Sequence, residues 1–245
     1  MRLTSGFSLG REVEDILIAD AALTIGFALV LSGGLFGLSS VAFLYLLPIA
    51  FVAVSLSFIL HELMHKFVAQ RFGAIAAFRK SDSGIIITLV TSLFGFLVGL
   101  PGATVIYAPH FTRQEEGYVS LAGPLTNFVV FAIFFLAGNA LFPHFGSSVT
   151  GILFGASLSS IPYLQIALSF TVFISIYLAF FNMLPIFPLD GSKVYRWNKG
   201  VFAAVIIVIF LLLTLVVPLF ALLPGLVLIL IIALLLSSFY KAIIF

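Results

Sequence analysis

Cysteine is absent from the 245-residue chain, and charge is scarce: only 8% of residues are Asp, Glu, Lys or Arg. Without cysteine there is no disulfide and no thiolate metal site, so any metal must be held by His, Asp or Glu. A soluble domain carries roughly 25% charged residues. The shortage excludes a soluble enzyme, a disordered chain and a nucleic-acid binder that works through a basic patch. The first twenty residues also lack the apolar core and small-residue cleavage site of a signal peptide. Arg2, Arg11, Glu12, Glu14, Asp15 and Asp20 make this stretch either a lead-in lying at a membrane surface or a frayed tail.

What is abundant is apolar. Hydrophobic residues make up 62% of the chain, and mean hydropathy is +1.30. This is the composition of a multi-pass membrane protein, with the lipid bilayer as its principal partner. A helix crosses the hydrocarbon core in about 20 residues. Three uncharged runs, 21–60, 117–189 and 200–240, each hold two such lengths. Turn residues divide them: Ser32, Gly33, Gly34 and Gly37 in the first, Pro143, Gly146 and Gly151 in the second, Pro218 and Pro224 in the third. The expectation is an all-α fold of six transmembrane helices in a single membrane-embedded domain, 1–245. Its core covers about 41–192, with flanking spans at 21–38 and 201–240. With six spans and both termini cytoplasmic, all eleven Lys and Arg residues fall on the cytoplasmic side, and the expected location is the cell membrane. Tyr195 and Trp197 then suit an interfacial belt.

Segment 84–109 does not fit this scheme. It is apolar, yet Arg79 and Lys80 precede it and Arg113 follows, so one crossing would invert everything downstream. Its β-branched start (85–91), its glycines and the later run 104–107 predict strands or a re-entrant hairpin on the cytoplasmic side.

The predicted second span ends in His61-Glu62-Leu63-Met64-His65-Lys66. Histidines four apart share one helix face and can bind one ion, and Glu62 stands where a carboxylate reaches a metal-activated water. Zinc suits two imidazoles plus a carboxylate. The bland alternative is a polar cap on the end of a span, but ionisable groups there are costly and mark function by default. For a third ligand, His144 falls in an outer loop, His110 is an isolated loop residue, and Glu115 and Glu116 suit the start of the third helix. Asp190 ends the long uncharged run, just after Pro185 and Pro188 break the fourth helix, and the topology puts it on the same side as the histidine pair.

These elements resemble the site-2 protease family of intramembrane zinc metalloproteases. The residues that carry the resemblance are HELMH at 61–65, Gly123 to Asn127, and Pro185-Ile186-Phe187-Pro188-Leu189-Asp190-Gly191, in family order. The resemblance implies His61, His65 and Asp190 as ligands of one zinc ion and Glu62 as catalytic base. It implies regulated intramembrane proteolysis of single-span membrane substrates, and membrane-associated strands where 85–107 lies. No PDZ or nucleotide-sensing domain is expected within these 245 residues.

Asn127 has two readings: a catalytic amide that stabilises an oxyanion or positions substrate, or a structural cross-link to the fourth span. For Asn182 the structural role is favoured. Gly123-Pro124 suits close packing and helix initiation. An extended substrate could pair with an edge strand from 85–91 or 104–107. Two other function classes fit less well: a metal transporter, for which the outer halves of the spans are too apolar, and a non-catalytic metal-binding scaffold, which has no need of Glu62.

Overall fold

Helix α1 (Leu9–Ser32) starts well before the span expected at 21–38 and takes in residues 9–20 of the supposed lead-in. The computed structural model describes residues 9–99, 101–108, 110–154 and 158–218. Glu12, Asp15 and Asp20 are buried on the α1 stripe that also carries Ile16, Ala19, Leu23 and Phe27. Their partners come from elsewhere in the fold: Lys66 for Glu12, Arg79 for Asp15 and Ser55 for Asp20. Spacing within α1 could not reveal those partners, so the acids looked like surface charge.

Gly33 and Gly34 adopt positive φ (104° and 67°) and turn the chain. Helix α2 (Val41–Val54) is capped by Ser40, whose side chain accepts from the Phe43 N–H. It continues through a π turn at Ser55–Ile59 into α3 (Leu60–Arg71), forming one 31-residue rod. The chain then enters β1 (Ile75–Lys80), helix α4 (Asp82–Leu93) and β2 (Gly102–Tyr107). The two strands pair antiparallel, with Phe78 opposite Thr104.

The strand expected at 85–91 is therefore a helix, while that at 104–107 is present and pairs with a strand the sequence did not announce. Local chemistry explains the first result. Ser81 caps α4 by accepting from the Gly84 N–H, and Asp82 stands in the first turn. The buried Thr88 hydroxyl donates to the carbonyls of Gly84 and Val98. β-propensity yields readily to such context. At 12 residues α4 is about 18 Å long, short of the roughly 30 Å hydrocarbon core.

Helix α5 (Arg113–Leu141) begins with a capping box between Thr112 and Glu115. Pro124 is thus inside the helix rather than at its start. The expected outer loop holds a short helix, α6 (Phe145–Phe154), which buries Phe145, Val149 and Ile152. Then follow α7 (Tyr163–Asn182), α8 (Asp190–Trp197) and α9 (Lys199–Val216). Among the described residues five helical segments are long and apolar enough to cross a membrane: α1, α2–α3, α5, α7 and α9. The sixth expected span lies outside the described residues. Every described Lys and Arg belongs to the N-terminal ends of α1, α5 and α9, the C-terminal end of α3, β1 or α8, and so to one end of the bundle.

Two large apolar clusters fill the interior. One joins α1, α2 and α7 around Leu23, Ile49, Phe170 and Ile174. The other joins α5, α6, α7 and α9 around Phe131, Phe145, Val172 and Leu213. A small third cluster (Ala69, Ala74, Ala76, Val119) packs α3 and β1 against α5.

Candidate metal centre

The π turn immediately precedes the functional turn of α3. Around it Ser55 donates to Asp20 on α1 (2.8 Å), and Ser57 pairs with Ser175 on α7 (Oγ–Oγ 2.7 Å). One and two turns after Ser57, His61 and His65 are buried at the contact with α5. Gly123 of α5 makes this approach possible. A Cβ there would overlap Nε2 of both histidines. Its glycine character therefore clears space for the imidazoles.

Asp190 reaches the same place from the other side. Helix α7 ends at Asn182, Pro185 and Pro188 follow, and α8 starts at Asp190. Gly191 returns so close to the carbonyls of Met183 and Leu184 that any Cβ would overlap them. Asp190 Oδ2 lies 3.3 Å from His61 Nε2 and 3.0 Å from His65 Nε2, and the two Nε2 atoms are 3.0 Å apart. His65 Nδ1 lies 2.7 Å from the Val119 carbonyl, which can only accept, so Nδ1 carries the proton and Nε2 presents a lone pair.

This donor set fits a divalent cation. Donor atoms on a tetrahedral zinc, bonded at 2.0–2.1 Å, lie about 3.3 Å apart, which the observed separations approach. Lone pairs converging this closely in a buried place require a positive charge between them. The His61 Nδ1 has no hydrogen-bond partner among the described residues.

Glu62 does not join the triad. Its Oε2 accepts from the Thr104 N–H (2.9 Å) and the Thr104 hydroxyl (2.8 Å), so β2 holds the carboxylate beside the histidines. Nothing in the sequence marks Thr104, because its role exists only once β2 lies along α3. A cleft of about 260 Å³ opens beside it, lined by Thr104, Ile106, Phe111, Val119, Ser120 and Lys193. Asn127 is fully buried one helical turn beyond Gly123, and neither amide atom has a hydrogen-bond partner among the described residues. The cross-link to α7 is therefore not formed. Asn182 donates within its own helix, to the Leu178 carbonyl (3.0 Å). His110 and His144 are exposed and apart from the site. Glu116 pairs with Arg196 (3.2 Å). Trp197 meets Tyr118 at a tilt (57°, 4.8 Å between centroids) and packs against Gly117, so it fastens α8 to α5.

Residues 49–197 match Peptidase family M50. The chain belongs to that family. M50 is the site-2 protease family that the three motifs resemble, and the matched region includes His61, Glu62, His65, Asn127 and Asp190. Among curated proteins, "Putative zinc metalloprotease MJ0611" of Methanocaldococcus jannaschii is 39% identical over 159 residues, covering 64% of this chain and 74% of that protein. "Putative zinc metalloprotease YwhC" of Bacillus subtilis is 29% identical over 163 residues, covering 62% and 69%. No solved structure matches. Helices α3 to α8 and both strands lie within the M50 region; α1 and α9 fall outside it.

Proposed function

We propose that this M50 protein is an intramembrane zinc metalloendopeptidase that cuts single-span membrane proteins within or beside their transmembrane segments. The observation that carries the reading is the buried convergence of His61, His65 and Asp190 with Glu62 held alongside. One zinc ion per chain would be held by His61, His65 and Asp190. Bound there, zinc would polarise a carbonyl and make water more acidic.

The remaining work falls to the protein. Glu62 takes the proton of the attacking water and passes it to the leaving amine. Thr104 donates twice to one Glu62 oxygen and fixes its direction. The unpartnered Asn127 amide is suited to donate to the oxyanion or to hold the substrate backbone. A helical substrate hides its carbonyls in its own hydrogen bonds and must unwind first. In extended form it could lie in the cleft along the outer edge of β2, where the Ile106 backbone continues the row begun by Thr104. The catalytic core is 41–192. The end bearing the basic residues, the N-terminus included, is cytoplasmic, in the cell membrane.

The deciding experiment is zinc analysis together with cleavage of a model single-span substrate in liposomes. Wild type should bind zinc and cleave, while Glu62→Gln should keep zinc and lose cleavage by about 10²–10⁴-fold. Equal cleavage by both overturns the reading. Metal flux that survives Glu62→Gln would favour a transporter instead.

A further inference from the structure

Helix α1 lies outside the region matched to M50, yet it reaches the two-stranded sheet beside Glu62 through Glu12. This carboxylate is buried and engaged on two sides. Lys66 Nζ lies 2.9 and 2.7 Å from its two oxygens, and the Phe78 N–H donates to it at 3.1 Å. Lys66 is one helical turn after Glu62 on α3. Phe78 is on β1, directly opposite Thr104 on β2.

The ladder makes that register meaningful. In an antiparallel pair, residues alternate between those that exchange hydrogen bonds and those whose N–H groups point outward. Phe78 and Thr104 form an outward-pointing pair, and each outer N–H is taken by a glutamate: Glu12 on the β1 side, Glu62 on the β2 side. A two-stranded sheet is only marginally stable alone. Its position across this rung is therefore set by what grips its edges. Glu12 grips one edge and, through Lys66, the helix that carries Glu62.

We infer that Glu12 is a positioning residue for Glu62, acting across the Phe78–Thr104 rung to fix the strand that aims the Glu62 carboxylate. The kinetic part rests on the protease reading above; the structural part does not.

The test uses the full chain in liposomes, with zinc content, kinetics on a model single-span substrate, and hydrogen exchange of segments 75–80 and 102–107. Glu12→Ala should lower kcat about ten-fold and change KM less than about two-fold, with zinc content at the wild-type level. Exchange should accelerate in 102–107 as well as in 75–80. In a Thr104→Val background the same change should cost less than it does alone. Glu12→Gln keeps an oxygen for the Phe78 N–H and should recover most of the rate. Glu12→Asp keeps the charge but is one methylene short, and should recover less. If Glu12→Ala loses zinc, that last pair decides: Gln faster than Asp supports the positioning role, and Asp faster than Gln overturns it. Acceleration confined to 75–80, or independent effects of Glu12 and Thr104, overturns the inference even where wild-type cleavage and its loss in Glu62→Gln uphold the protease reading.

Discussion

The two ends of the bundle are built on different principles. At one end, α1, α3, β1, α5 and α8 meet through Glu12–Lys66, Asp15–Arg79 and Glu116–Arg196, with His61, His65 and Asp190 between them. At the other, chain reversal relies on Gly33 and Gly34, and α6 seats Phe145 and Val149 in an apolar cluster. Serine and threonine there mostly return hydrogen bonds to nearby backbone, as Ser32, Ser147 and Ser148 do. Apolar packing is enough to hold helices together and tolerates change of similar volume. Directed polar contacts are needed where individual atoms must be aimed, and each fails sharply when one partner is removed. The molecule concentrates its few charges where atoms must be aimed.

Substitutions at the charged end should break this contrast most. Asp190→Ala removes one of three converging donors, so zinc content should fall to background and cleavage should be abolished, as metal analysis and a substrate assay would read. Gly123→Val places a branched side chain where even a Cβ overlaps both Nε2 atoms. Zinc per chain and cleavage should both drop, cleavage by at least about a hundred-fold. Asn127→Ala should lower kcat about 10²–10³-fold while zinc content and thermal midpoint stay near wild type, the pattern expected of a lost transition-state donor. A fall in thermal midpoint with little change in kcat would assign Asn127 to structure instead. Thr104→Val keeps the N–H to Glu62 and loses the hydroxyl, so kcat should fall about ten-fold or less. At the opposite end, Gly146→Ala brings its new Cβ to 3.5 Å from the Phe135 ring, ordinary contact. Stability should stay within about 0.5 kcal/mol and cleavage should be unchanged. A large loss there would erase the contrast between the two ends.

The motif at 61–65 was legible because two histidines four apart meet on any helix, whatever packs around it. Asp190 was legible for a different reason. In a chain so poor in charge, an acid closing a long uncharged run must have a partner on its own side of the membrane. Thr104 was not legible, since its contact with Glu62 exists only when a strand lies along α3. The run at 85–91 misled because β-branched residues favour strands on average, while the Ser81 cap and the Thr88 hydrogen bonds make this run a helix. The acids of α1 misled in the same way, as their partners lie 35 to 66 residues further along the chain.

By itself the amino-acid sequence determined that the chain is a multi-pass membrane protein, roughly where five of its spans lie, and that His61, His65 and Asp190 belong to one end of the bundle. These follow from local properties: hydropathy, helical periodicity and the cost of charge in hydrocarbon. The tertiary structure alone decided how those residues are aimed. Gly123 clears room for the imidazoles, Val119 orients His65, Thr104 holds Glu62, and Glu12 grips the far edge of the same two-stranded sheet. Each of these contacts joins elements distant in sequence, and their geometry comes from packing rather than from spacing.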